Sequence, residues 1–146
     1  MRHFAIIAIF LLLIGTTGSA HAVVNDGKTY GIGIAGGLGV SGISGTIDTG
    51  SPTSFQLIAG TGVLGKLRYA LHMREYWDIY VDAFGGIHTE WDDALVAGGG
   101  VGIDWNWQNL EPSLPPISFA LEINAGIIDG DFEVDPHAGI HFNFNL

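Results

Sequence analysis

Seven stretches of this chain alternate apolar with small or polar residues at a period of two, and no feature of the sequence constrains the fold more. Successive side chains of an extended backbone leave opposite faces, so this period specifies strands that each carry one apolar face. The closing "HAGIHFNFNL" sets Ala138, Ile140, Phe142, Phe144 and Leu146 against His137, Gly139, His141, Asn143 and Asn145. "GKLRYALHM" sets Leu67, Tyr69, Leu71 and Met73 against Lys66, Arg68, Ala70 and His72. "WDIYVDAFG" opposes Trp77, Ile79 and Val81 to Asp78, Tyr80, Asp82 and Phe84. "YGIGIAGGLGV", "SFQLIAG", "LVAGGGVGIDWN" and "ISFALEINAGI" follow the same rule, and a weaker "GISGTID" makes an eighth strand. Residues 55–73 keep one parity, yet ~19 residues at ~3.3 Å each would span ~60 Å, so a turn is expected near Thr61-Gly62.

Residues 1–22 read differently. Arg2 and His3 precede the apolar run "FAIIAIFLLLIG", and Ala20 and Ala22 take the A-x-A spacing of a secretory signal peptide cleaved after Ala22. A retained anchor is the alternative, although the run is nearer a signal core than the ~20 residues of a spanning helix. Residues 23–146 then form one domain with no second apolar run of helical-span length. The chain has no cysteine, which removes the lipoprotein route, disulfides, thiol chemistry and cysteine-ligated metals. Five basic residues face fifteen acidic ones, a formal net charge of −10. That balance argues against nucleic acid as a partner and against docking on anionic lipid.

An exported chain built from alternating strands is either a soluble β-sandwich or a membrane barrel. The non-apolar face carries Lys66, Arg68, Asp78, Asp82, Asp104 and Glu122 in mid-strand, interleaved with glycines such as Gly98, Gly100 and Gly102. A narrow lumen needs small residues opposite large ones, and Tyr80 and Phe84 are the large ones on the preceding strand. The aromatic residues give an independent sign. Tyr30, Phe55, Trp77 and Phe119 fall near the starts of odd strands, and Trp105, Trp107, Phe142 and Phe144 near the ends of even ones. All eight then share one rim, as the aromatic girdle of a membrane barrel requires. The expected fold is therefore all-β: an up-and-down antiparallel transmembrane β-barrel of about eight strands.

These features resemble the small eight-stranded outer-membrane barrels of the OmpX and OmpA-transmembrane-domain type. The likeness rests on the signal, the missing cysteine, the eight short alternating segments and the terminal "GIHFNFNL". "GISG" at 42–45 and "SFALEINAG" are also similar to members of that broad group. The resemblance implies contacts with outer-membrane lipid and lipopolysaccharide. It also implies recognition of the last strand's alternating aromatics, Phe142 and Phe144, by the barrel assembly machinery. Leu146 departs from the terminal Phe usual in the group, which implies either that Phe144 serves instead or that assembly is less efficient.

Turn lengths give a register. A two-residue turn at Gly130-Asp131 pairs Asp129 with Phe132, Ile123 with Ala138 and Asn124 with His137. A three-residue turn at Arg74 to Tyr76 sets Met73 opposite Trp77, Arg68 across from Asp82 and His72 across from Asp78. Lys66, Arg68, His72, Asp78, Asp82, Glu122, His137 and His141 become a lumenal polar network, since buried charges persist only when paired. Such a filled lumen points to a structural or cell-surface barrel, with a narrow pore as the alternative.

Other motifs carry less. "GIGIAG" matches the dinucleotide fingerprint but lies inside a strand. "DGDFEVD" lacks the glycine and glutamate of a calcium loop, and His88, Glu90, Asp92 and Asp93 read as a solvated loop. His137 and His141 sit ~13 Å apart on a strand, too far to share a metal. No cofactor or metal site is expected. A lipid-modifying enzyme would draw on Ser41, Ser44 and His88 near an outer turn, but no acid-His-Ser spacing unites them, and no catalytic residue is assigned.

Overall fold

The computed structural model describes residues 30–48, 52–73, 77–89 and 94–144. The expected signal peptide at 1–22, Leu146, the expected turn at 74–76 and Glu90, Asp92 and Asp93 lie outside these residues. Period-two patterning gives eight strands: β1 (Tyr30–Gly37), β2 (Val40–Asp48), β3 (Thr53–Gly60), β4 (Gly62–Met73), β5 (Trp77–His88), β6 (Ala94–Asn106), β7 (Ile117–Ile128) and β8 (Asp131–Phe144). One helical turn, α1 (Trp107–Leu110), follows β6, capped by Asn106, whose side chain accepts from the Gln108 N–H. Each strand pairs antiparallel with its neighbour in sequence, and β1 pairs with β8, so the sheet closes as an up-and-down barrel.

The weak strand is real and longer than its alternation suggested. It begins at Val40, directly after a turn at Leu38-Gly39 where both residues take positive φ (51° and 72°). A tight turn at Thr61 divides β3 from β4, with Ala59 opposite Val63.

Two register expectations need correction. The last hairpin turns at Asp129-Gly130, one residue earlier than Gly130-Asp131, with φ of 50° and 97°. A type I′ turn needs positive φ at both central positions, which Asp-Gly tolerates best, so turn chemistry sets the pairing. Glu122 consequently faces His137, Leu121 faces Ala138 and Asn124 faces Asp135. The shift is by two residues, so both faces keep their identity. In the β4–β5 hairpin Arg68 does face Asp82, but a bulge between Ala70 and His72 moves Met73 opposite Asp78 and His72 opposite Ile79. One extra residue on a bulged strand re-aims everything beyond it. His72 is thereby exposed, its ring 5.9 Å from that of Trp77, and it does not enter the lumen.

Glycines on the inner face admit the large side chains. Phe84 lies in register with Gly98, which in turn faces Gly126. A Cβ on Gly98 would meet Ala125 O at 2.3 Å, Gly126 Cα at 2.6 Å and Phe84 Cζ at 2.6 Å. Gly65, on the outer face, has only Gly85 O near it, at 3.8 Å. Gly98→Ala should therefore destabilise the barrel by about 1–3 kcal/mol through overpacking. Gly65→Ala should be neutral or slightly stabilising, because it lowers only the entropy of the unfolded chain. Urea unfolding of the two variants in detergent checks the contrast; equal losses would refute it.

Candidate functional site

The barrel interior has two layers. At the end carrying the short turns, Leu38, Val40, Ile58, Leu64, Phe84, Val96 and Ile128 form a buried apolar cluster with Ala35 and Ala94. Parity already put Ile58 and Phe84 inside, but sequence spacing gave no sign that such residues would gather into one layer. Below it lies a polar belt to which every strand from β2 to β8 contributes.

Glu122 on β7 is the centre of the belt. Its Oε1 accepts from Arg68 Nη2 at 2.6 Å and from the Tyr80 hydroxyl at 2.6 Å. Its Oε2 accepts from Lys66 Nζ, from Asn124 Nδ2 at 3.3 Å and from His137 Nδ1 at 2.6 Å. A carboxylate only accepts, so the proton of His137 sits on Nδ1. Five donors around two oxygens outnumber the roughly four lone-pair sites of the group, so its accepting capacity is fully used. Tyr80 reaches Glu122 because Gly102 stands between them in the ladder; a Cβ there would lie 2.6 Å from both the Tyr80 Oη and Glu122 Cγ.

Arg68 extends the network sideways. Nη2 also donates to Gln56 Oε1 at 2.5 Å, Nη1 lies 3.8 Å from Asp104 Oδ2, and the guanidinium stacks 4.8 Å from the Tyr80 ring centroid. Gln56 Nε2 donates to Ser44 Oγ at 2.7 Å, and Ser44 Oγ lies 2.8 Å from His141 Nε2. Lys66 Nζ sits over the Phe84 ring at 5.3 Å and 3.8 Å from Asp82 Oδ2. Register puts Asp82 beside Arg68 on the wall, yet the long guanidinium crosses the lumen to Glu122 and leaves Asp82 facing Lys66.

The residues expected in the lumen divide accordingly. Lys66, Arg68, Asp82, Glu122, His137 and His141 are buried together; Asp78 is half-buried and His72 lies outside. Gln56, Ser44, Tyr80 and Asn124 belong to the network as well, although the sequence reading did not include them. Their parity was legible; which of them would touch Glu122 depended on reach across the lumen. The inner glycines of β1 make room for β8: a Cβ on Gly37 would meet His137 Cβ at 2.6 Å, and one on Gly33 would overlap Ile140 O.

Ser44 is not near an outer turn. It lies mid-strand, 0% exposed, against His141 rather than His88. The buried Ser44–His141 contact is a link in the network. Among the described residues no group of three or more His, Asp and Glu is arranged to hold a metal ion. Comparison with protein-family models, with curated proteins and with solved structures finds no match.

The eight aromatic residues expected in the girdle lie at the end opposite the apolar layer. Tyr30 pairs with Phe144, their rings stacked with centroids 6.1 Å apart; Trp77 faces Trp105, and Trp105 faces Phe119. Trp107 packs on Phe119 at 4.8 Å. Phe55 and Phe142 point outward at the same end and are exposed.

Glu122→Ala should cost about 3–5 kcal/mol, because Lys66 and Arg68 would stay buried without their main counter-charge. Asp104→Ala should cost about 0–1 kcal/mol, since its side chain is 26% exposed and 3.8 Å from Arg68. Unfolding free energies measured on both variants test the ranking; a smaller loss for Glu122→Ala would remove Glu122 from the centre of the network.

Proposed function

We propose that this protein is a small outer-membrane β-barrel with a structural or cell-surface role and a closed lumen, similar in kind to the OmpX type. One observation carries the reading: the barrel is inverted relative to a water-soluble one. Its mid-strand charges Lys66, Arg68, Asp82 and Glu122 are inside, and its large exposed apolar side chains cover the outside of the wall. Ile34, Ile43, Leu57, Leu95, Leu121 and Ile123 are all more than half exposed on that outer face. Soluble monomers rarely expose a continuous apolar surface, whereas a lipid-facing barrel requires one. The aromatic rings at one end supply the interfacial belt.

In this reading residues 1–22 direct export, outer-membrane lipid and lipopolysaccharide surround the wall, and Phe142 and Phe144 on β8 serve the assembly machinery. The protein should sediment with the outer membrane, resist carbonate extraction and migrate differently on a gel before and after boiling. Recovery as a soluble periplasmic protein would refute the proposal.

A structural role is favoured over a pore by the two-layer filling. An eight-stranded barrel encloses only enough room for side chains. Here the apolar layer at the turn end and the cross-linked belt beneath it occupy that room. The native protein should pass no steady current in a planar bilayer. Reproducible single-channel steps from purified protein would favour a pore instead.

A further inference from the structure

The rim of the barrel has a step at its closing seam. Pairing of β1 with β8 runs from Tyr30↔Phe144 to Gly36↔Ala138 and stops. Pairing of β7 with β8 continues to Ile128↔Asp131. The first part of β8, Asp131 to Pro136, therefore has a strand on one side only among the described residues.

The ladder identifies which backbone groups this leaves open. Asn143 N–H donates to Pro116 O, on the β7 side, at 2.7 Å. Alternate residues of an antiparallel strand direct their backbone groups to opposite sides, and the β7–β8 register is uninterrupted. Odd-numbered residues of β8 thus bond toward β7 and even-numbered ones toward β1. Past Ala138, the N–H and C=O of Phe132 and Val134 and the C=O of Pro136 face no strand among the described residues. The side chains on this stretch are sorted as well. Phe132 is 72% exposed and Val134 61% exposed on one face, and Asp131 and Glu133 are exposed on the other. Asp135 is engaged: its Oδ2 accepts from the Leu38 N–H at 2.6 Å and anchors the β1–β2 turn beside the step.

We infer that the open edge of β8 at Phe132–Val134 is a docking site for an extended segment of a partner protein in which apolar and basic residues alternate. The segment adds as a strand in the place where β1 would continue. Strand addition draws affinity from main-chain hydrogen bonds and specificity from alternate side chains. The apolar residues of the guest would lie against Phe132 and Val134, and its lysines or arginines against Asp131 and Glu133. Charge also excludes the simplest competitor. A second copy pairing through the same edge would bring carboxylates against carboxylates, and like charges directly opposite are destabilising. Pro136, which has no N–H, ends the receptive stretch on the barrel side.

The test uses the folded full-length protein in neutral detergent with a fluorescent, alternating Lys-Val peptide. Binding should be saturable and weaker in high salt. A Glu-Val peptide of equal length should bind roughly tenfold or more weakly. Methylating the alternate peptide amides that face the barrel should abolish binding without altering the protein. Val134→Pro, which removes one edge N–H, should reduce binding to the same degree while keeping the heat-modifiable migration of the folded barrel. Charge reversal by Asp131→Lys with Glu133→Lys should switch the preference to the Glu-Val peptide. Equal affinity for both peptides, undiminished binding of the methylated peptide, or dimerisation of the protein lost in Val134→Pro would each overturn the proposal.

Discussion

The carboxylate of Glu122 is the constraint on which the rest of the interior depends. A charge taken out of water is costly unless it is paired and its hydrogen-bonding capacity met. Glu122 is met by donors from four strands: Lys66 and Arg68 on β4, Tyr80 on β5, Asn124 on its own β7 and His137 on β8. His137 is the ladder partner of Glu122 and Asn124 its neighbour on β7, but Lys66, Arg68 and Tyr80 reach it from strands that do not pair with β7. They tie together strands that share no ladder, which backbone pairing alone does not do.

That arrangement also narrows the register. Alternation specifies which face a residue occupies but is blind to a slip of two residues, which leaves every face unchanged. A two-residue slip of β7 against β8 would carry His137 out of line with Glu122, and one of β5 against β6 would carry Tyr80 away from Gly102. The glycines reinforce this, since Gly98 and Gly102 must lie under Phe84 and Tyr80 for the rings to fit. Network and glycine lane thus discriminate between pairings that the hydrophobic pattern treats as equal.

The division of the interior follows from the same economy of space. Ions concentrate where they reach one another, and the remaining inward positions near the turns are filled by Leu38, Val40, Ile58, Leu64, Phe84, Val96 and Ile128. Leu38 enters this layer from a turn, in a left-handed conformation unusual for a branched side chain, held by Asp135 from across the seam. The closing seam is therefore secured by a side chain where the β1 ladder has run out.

The sequence by itself determined the eight strands, their order, the identity of the two faces and the gathering of eight aromatic residues at one end. Each of these follows from local patterning: a period of two, turn residues between runs, and parity counted along one strand. Only the tertiary structure decided the depth and reach of the inward residues. That Arg68 answers Glu122 and not its ladder neighbour Asp82, that Ser44 meets His141, and that His72 is turned outward by a bulge are not properties of any single strand. They depend on how far a side chain extends across a closed lumen and on which glycine lies beneath it. The Asp129-Gly130 turn has a local signal, because Asp-Gly suits two successive positive φ values, yet alternation alone set it one residue too late. The step at the β8 edge had no local signal at all. It exists because the β1 ladder ends at Ala138 while β7 continues to Asp131, a mismatch that appears only once the barrel has closed.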